Sequence, residues 1–160
     1  MLKIVPSLRW LWVSVVIVLI DQATKFAITA KMTLHQIIEI LPVLNITLTY
    51  NPGAAFSFLA DASGWQRWFF SGLTIIVSGV LVSWLHRLQS EDRLQAIGLV
   101  MVLGGALGNL WDRLWLGHVV DFIQVHWQNA YFPAFNIADS AITLGAACII
   151  LNTMFFEQKI

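Results

Sequence analysis

Charge is scarce in this chain: nine Lys/Arg and nine Asp/Glu make up 11% of its 160 residues, against 58% hydrophobic residues. A soluble domain of this size needs a charged, mixed surface with small apolar patches, and so few ionic groups do not cover one. Net charge is zero and no basic cluster stands out, so the electrostatic footprint of a nucleic-acid binder is missing and no nucleic-acid partner is expected. The single cysteine, Cys148, lies in an apolar run. It excludes an internal disulfide framework and a multi-cysteine metal centre, and reads as a packing thiol. No Gly-x-Ser-x-Gly turn presents a nucleophilic serine. His35, His86, His118 and His126 form no HExxH helix, and His118 and His126 with Asp121 make only a weak metal-ligand spacing. No metal and no cofactor is expected. Internal repeats, low-complexity tracts and flexible linkers are absent as well, so residues 1–160 read as a single domain.

What is present is long apolar sequence. Four stretches, approximately 10–29, 68–85, 94–110 and 137–156, fall near the roughly 17–25 residues that cross a bilayer. Lys3 and Arg9 before the first apolar block resemble a secretory signal sequence, but the charged turn Asp21–Lys25 is a poor cleavage region, so an uncleaved first helix is expected. Four spans put both termini on one side. The positive-inside rule makes that side cytoplasmic, since it gathers Lys3, Arg9, Arg87, Arg93 and Lys159. Two longer connections, approximately 30–67 and 111–136, then lie at the outer face, with every acid near them except Glu91, Asp92 and Glu157. Residues 45–51 alternate polar with apolar as a half-buried strand does, and Asn51-Pro-Gly53 reads as a turn into 54–59, so a small sheet or hairpin is expected on the membrane surface. Asn45-Ile-Thr47 matches the glycosylation acceptor pattern, one that is common by coincidence. The expected fold is an all-α membrane protein, four transmembrane helices with a small β-sheet element at the outer face.

Ionisable groups at membrane depth are costly and call for a partner or a function. Asp21 and Lys25, spaced i,i+4 with the acid first, suit an ion pair on one helix face. Gly104 and Gly108 form a small-xxx-small pair for close helix approach, within one bundle or between two. Asn109, Asp112 and Arg113 follow, and project from one side if the helix continues. Asp121 sits in an outer-face segment among apolar neighbours. Asp139 opens the fourth helix, where Asn136 is a candidate N-cap and an acid is favoured by the helix dipole. Each aspartate alone has a structural explanation. Taken together, two carboxylates in a poorly solvated cleft do not both ionise readily, so one keeps its proton and the other stays charged. That asymmetry supplies a base for water and an acid for a scissile carbonyl. Intramembrane acids also mark ion pathways, which leaves a small channel or proton-coupled transporter as a second class, and a purely structural membrane protein as a third.

Five ordered blocks bear on the choice: Asp21-Gln-Ala-Thr-Lys25, Asn51-Pro-Gly-Ala-Ala-Phe56, Gly104 through Arg113, Gly117-His-Val-Val-Asp-Phe122 and Phe135-Asn-Ile-Ala-Asp139. In these blocks, along nearly its whole length, the chain resembles the lipoprotein signal peptidases, the type II signal peptidases of bacteria. The resemblance implies a four-span inner-membrane aspartic endopeptidase that removes the signal peptide of prolipoproteins, cutting before a diacylglyceryl-modified cysteine. It implies that Asp121 and Asp139 are the catalytic pair. Asn51, Gly53, Asn109, Arg113 and Asn136 look like active-site support, and Asp21 and Lys25 look like residues shaping the site. It further implies membrane lipid as surroundings, globomycin-type compounds as inhibitors, and a site near the outer face.

Overall fold

The computed structural model describes residues 6–53, 64–89 and 91–155; the expected turn into 54–59 lies outside the described residues. Four helices form the body: α1 (Leu11–Lys31), α2 (Trp65–Arg87), α3 (Arg93–Trp115) and α4 (Ile137–Phe155), with a short 3-10 turn, Pro6–Trp10, leading into α1. Each is long and apolar enough to cross a membrane, at about 1.5 Å of rise per residue. This is a multi-pass membrane protein. Its outward faces carry Phe26, Leu19, Trp68 and Ile76, all highly exposed within the chain, as lipid-facing surfaces should be.

α3 is the axis. It packs against α1, α2 and α4 and is more than half buried, whereas the other three are mostly exposed. Lipid supplies no hydrophobic drive for helices to associate, so close packing of small residues has to supply it. A Cβ on Gly108 would lie 2.8 Å from the Asp21 carboxylate, which is why only glycine admits α1 there. Gly104 meets Ser14 of α1 in the same way, so the small-xxx-small pair works inside this bundle. The Ser14 hydroxyl adds a 2.7 Å hydrogen bond to the Val100 carbonyl across the same contact.

At one end of the bundle the two long connections meet in an antiparallel sheet of order β1 (Ile37–Leu41), β2 (Leu44–Asn51), β3 (Val119–Trp127), β4 (Ala130–Tyr131). β1 and β2 come from the α1–α2 connection, β3 and β4 from the α3–α4 connection. The alternation read at 45–51 corresponds to β2, which buries Asn45, Thr47 and Leu48. Asn45 donates to Gln124 of β3 at 3.2 Å, so its side chain is a buried cross-strand partner with no room for a glycan. The β2–β3 register sets Thr49 opposite Asp121 and Asn51 opposite Val119, which carries Asp121 to the mouth of the helices.

Candidate active site

Three helices and two strands bring their polar residues to this end. α4 begins with reciprocal capping: the Asn136 side chain accepts from the Asp139 amide at 2.9 Å, and the Asp139 carboxylate accepts from the Asn136 amide at 3.2 Å. Asn136 is fully buried, and its side-chain NH2 donates to Asp121 Oδ1 at 2.7 Å and also to the Val120 carbonyl. One residue therefore holds both aspartates, capping a helix with its oxygen and binding Asp121 with its nitrogen.

Asn109 of α3 closes the arrangement. Its NH2 donates to Asp139 Oδ1 at 2.8 Å, while its oxygen accepts from Lys25 Nζ at 3.0 Å and from Asn136. Asn51, at the end of β2, donates to Asp121 Oδ2 at 3.2 Å, and its oxygen accepts from the Gly53 amide. Gly53 holds φ +107°, and a Cβ there would strike the Phe70 ring at 2.8 Å, so the turn that places Asn51 needs glycine on both counts. Arg113 stacks over Phe70 at 5.4 Å and reaches the Asn109 carbonyl only weakly, at 3.4 Å. Its Nε is buried with no hydrogen-bond partner among the described residues.

Behind this layer lies an ion cluster. Lys25 Nζ bridges Asp21 and Asp112, each at 2.8 Å, and all three residues are at most 3% exposed. Asp21 Oδ1 also accepts from the Ala138 amide of α4, and Asp112 from the Val120 amide of β3 and from Gln22. The expected Asp21–Lys25 pair is thus part of a triad that ties α1, α3, α4 and β3 together. Asp112 was not among the site candidates and neither was Gln22, although both stand inside the quoted blocks. The helix does continue through Trp115, and Asn109, Asp112 and Arg113 project from one side of it: Asn109 and Asp112 share Lys25, while Arg113, at the α2 edge of that side, is within electrostatic reach of Asp139, Asp121 and Asp112.

Asp121 is 3% exposed, and burial, followed by the nearby Asp139 charge, pushes its carboxyl up to about 7 against the downward pull of the Asn51 and Asn136 hydrogen bonds. Asp139 is only half-buried. The outcome is one carboxyl group that gains its proton as pH falls through about 7 and a second that reaches the surface. Of the histidines, His118 lies tilted against Tyr50 and His126 stacks on Tyr131, and among the described residues neither has a hydrogen bond to the aspartates.

The family model for "Signal peptidase (SPase) II" matches residues 13–155. The chain is 58% identical over 154 residues to a lipoprotein signal peptidase of Pseudomonas fluorescens, covering 95% of this chain and 90% of that one. It is 56% identical to those of Pseudomonas putida and Pseudomonas aeruginosa, with the same coverage. Among solved structures, it superposes with a TM-score of 0.83 and 35% identity on "Bacterial membrane enzyme structure by the in meso method at 2.3 A resolution", covering 94% of this chain and 90% of that one. A second, "Bacterial membrane enzyme structure by the in meso method at 1.9 A resolution", gives a TM-score of 0.81 at 34% identity.

Proposed function

This chain belongs to the signal peptidase II family of proteases, and on that premise we propose that it removes the signal peptide of prolipoproteins with Asp121 and Asp139 as its catalytic pair. The cut falls before the diacylglyceryl-modified cysteine. The observation that carries the reading is the shared amide frame: Asn136 binds both carboxylates, Asn109 binds Asp139 and Asn51 binds Asp121, and among the described residues neither carboxylate forms a salt bridge. Amides orient a carboxylate without consuming its chemistry.

In the proposed mechanism the Asp139 carboxylate takes a proton from water, and the resulting hydroxide attacks the scissile carbonyl carbon. Protonated Asp121 donates to the carbonyl oxygen and stabilises the tetrahedral intermediate. Its collapse breaks the C–N bond as the proton held by Asp139 passes to the departing nitrogen. The Arg113 guanidinium, whose buried Nε has no hydrogen-bond partner among the described residues and whose charge acts on both aspartates, is proposed to hold a substrate carbonyl. No covalent intermediate forms.

The proposed location is the bacterial inner membrane, with both termini cytoplasmic and the sheet end outward. A substrate whose signal helix and acyl chains lie in lipid then reaches the aspartates laterally while water arrives from outside. Among the described residues, four aspartates, Asp21, Asp112, Asp121 and Asp139, gather at this end and only one, Asp92, lies at the other, with no buried acid between them, which speaks against an ion path across the bundle. The test is cleavage of a diacylglyceryl-modified precursor by the reconstituted protein. Asp121→Asn and Asp139→Asn, checked for folding, should each abolish cleavage; full activity in either overturns the pair. Globomycin-type inhibitors should compete for the same cleft.

A further inference from the structure

The end of the bundle opposite the sheet carries a feature that proteolysis does not use. Arg9, Trp10 and Trp12, at the entrance to α1, enclose with Arg93 a recess of about 490 Å³. Both arginines are exposed, and neither forms a salt bridge among the described residues, although Glu91 and Asp92 immediately precede Arg93. The Arg9 guanidinium sits 5.8 Å over the Trp10 ring, and Trp12 is 60% exposed. Arg93 occupies the first position of α3, where the positive end of the helix dipole adds to its charge.

The surface next to this recess is an apolar groove of about 440 Å³ between α1 and α3, lined by Leu11, Val15 and Leu19 on one side and Leu103, Leu107 and Trp111 on the other. The two helices run in the same direction, as the Ser14–Val100 and Lys25–Asp112 contacts require. The groove therefore starts beside the arginine recess and continues into the membrane. Trp12, Val15 and Leu19 follow at helical spacing on one face, which joins the two parts.

From this juxtaposition we infer that the α1–α3 face is a binding site for one anionic glycerophospholipid, its phosphodiester between Arg9 and Arg93 and an acyl chain along the groove. Charge complementarity selects the anionic headgroup, because a zwitterionic lipid would bring its own cation to two arginines. The apolar groove selects a lipid over a free phosphate. The arginines and tryptophans match the interfacial anchoring that these side chains provide at bilayer surfaces. The arginine recess lies at the other end of the bundle from Asp121 and Asp139, and only the far end of the groove, at Trp111, approaches the ion cluster, so headgroup binding stands whether or not the proposed cleavage reaction does.

The experiment is thermal unfolding of the purified full-length protein in detergent, titrated with phosphatidylglycerol, phosphatidylcholine or inorganic phosphate. Phosphatidylglycerol should stabilise the protein at the lowest concentration, and inorganic phosphate should have no effect. Arg9→Gln with Arg93→Gln should weaken the phosphatidylglycerol response about 25-fold, fivefold per arginine, as expected for about 1 kcal/mol each. Val15→Trp, which fills the groove, should weaken it with both arginines intact. Arg87→Gln removes a cation at the same end of the bundle but outside the recess, and should match the parent. An unchanged response in the double variant overturns the site. So does an equal loss in Arg87→Gln, which would mean diffuse attraction, or equal stabilisation by inorganic phosphate.

Discussion

Two pairs of aspartates share one hydrogen-bonded network at the sheet end, and they are built in opposite ways. Asp21 and Asp112 are fully enclosed, converge on a single ammonium at 2.8 Å each, and have both oxygens occupied by further donors. Asp121 and Asp139 receive only neutral amide donors, and Asp139 keeps an open side. The first pair shares one cation between two carboxylates and has its oxygens filled by donors. The second is oriented by amides, with the Arg113 charge acting on both carboxylates but bridging neither among the described residues. Asn109 joins them, accepting from Lys25 with its oxygen and so presenting its nitrogen to Asp139. Substitutions that treat the two pairs alike should therefore have different consequences.

The largest effect is expected in the open pair. Asp139→Asn keeps the shape and at least one amide contact but removes the base, and Asp121→Asn removes the acid. Each should lower cleavage by at least about a hundredfold, the scale of general acid–base catalysis, while thermal unfolding in detergent stays near that of the parent. A comparable collapse of stability in these variants would erase the distinction between the pairs.

Next is Lys25→Met, which strands two buried carboxylates without a cation. Breaking a buried ion pair by deleting one partner costs about 3–5 kcal/mol, so the unfolding temperature should fall markedly. Cleavage should fall with it, because Asn109 loses the donor that fixes its orientation. Lys25→Met with parental stability would show that the cluster is not the clamp its geometry describes.

The pH dependence sharpens the contrast from the other side. The Asp121 carboxyl is raised to about 7 in the folded protein, chiefly by burial and then by Asp139. Between about pH 4, where an unfolded aspartate titrates, and about pH 7, the folded protein binds the extra proton. This contribution to stability is therefore fully present below pH 4 and is lost as pH rises through 7. The same ionisation removes the proposed acid, so kcat/KM should drop about tenfold per unit above pH 7. Asp121→Asn should flatten the stability slope. Asp139→Asn, by deleting the neighbouring charge, should move the Asp121 titration downward.

Much of this was legible beforehand, and the gaps have physical causes. The four helices follow from apolar length, and β2 from its alternation. β3 has no such signature: Val119, Val120, Asp121 and Phe122 are buried in succession, covered on both faces, so period two is absent. That left its pairing with β2 unread, and with it the frame that holds Asp121. Asp139 and its Asn136 cap were readable from spacing, and the structure has the cap and the amide frame coexisting in one residue. The role of Asp112, a residue visible in the α3 polar cluster, was unread for a different reason. Its partners are Lys25 and Gln22, 87 and 90 positions away, and a backbone amide on a strand that local pattern does not reveal.

The smallest effect belongs to an asparagine that resembles the site residues in burial but not in partner. Asn45 is 5% exposed, like Asn109, yet among the described residues its side chain hydrogen-bonds only Gln124, across the β2–β3 ladder. Gln124 is half-buried and reaches water if that contact is lost. Asn45→Thr keeps a residue suited to a strand and exchanges one neutral amide pair for hydration. The expected cost is about 0.2–1 kcal/mol, the range of a cross-strand pair, with cleavage unchanged. Asn109→Ala removes the donor to Asp139 and the acceptor for Lys25 together, and should lower both stability and cleavage. If the two substitutions proved equally harmless, burial and amide bonding would not be what separates a site asparagine from a structural one, and the frame proposed around the aspartates would lose its basis.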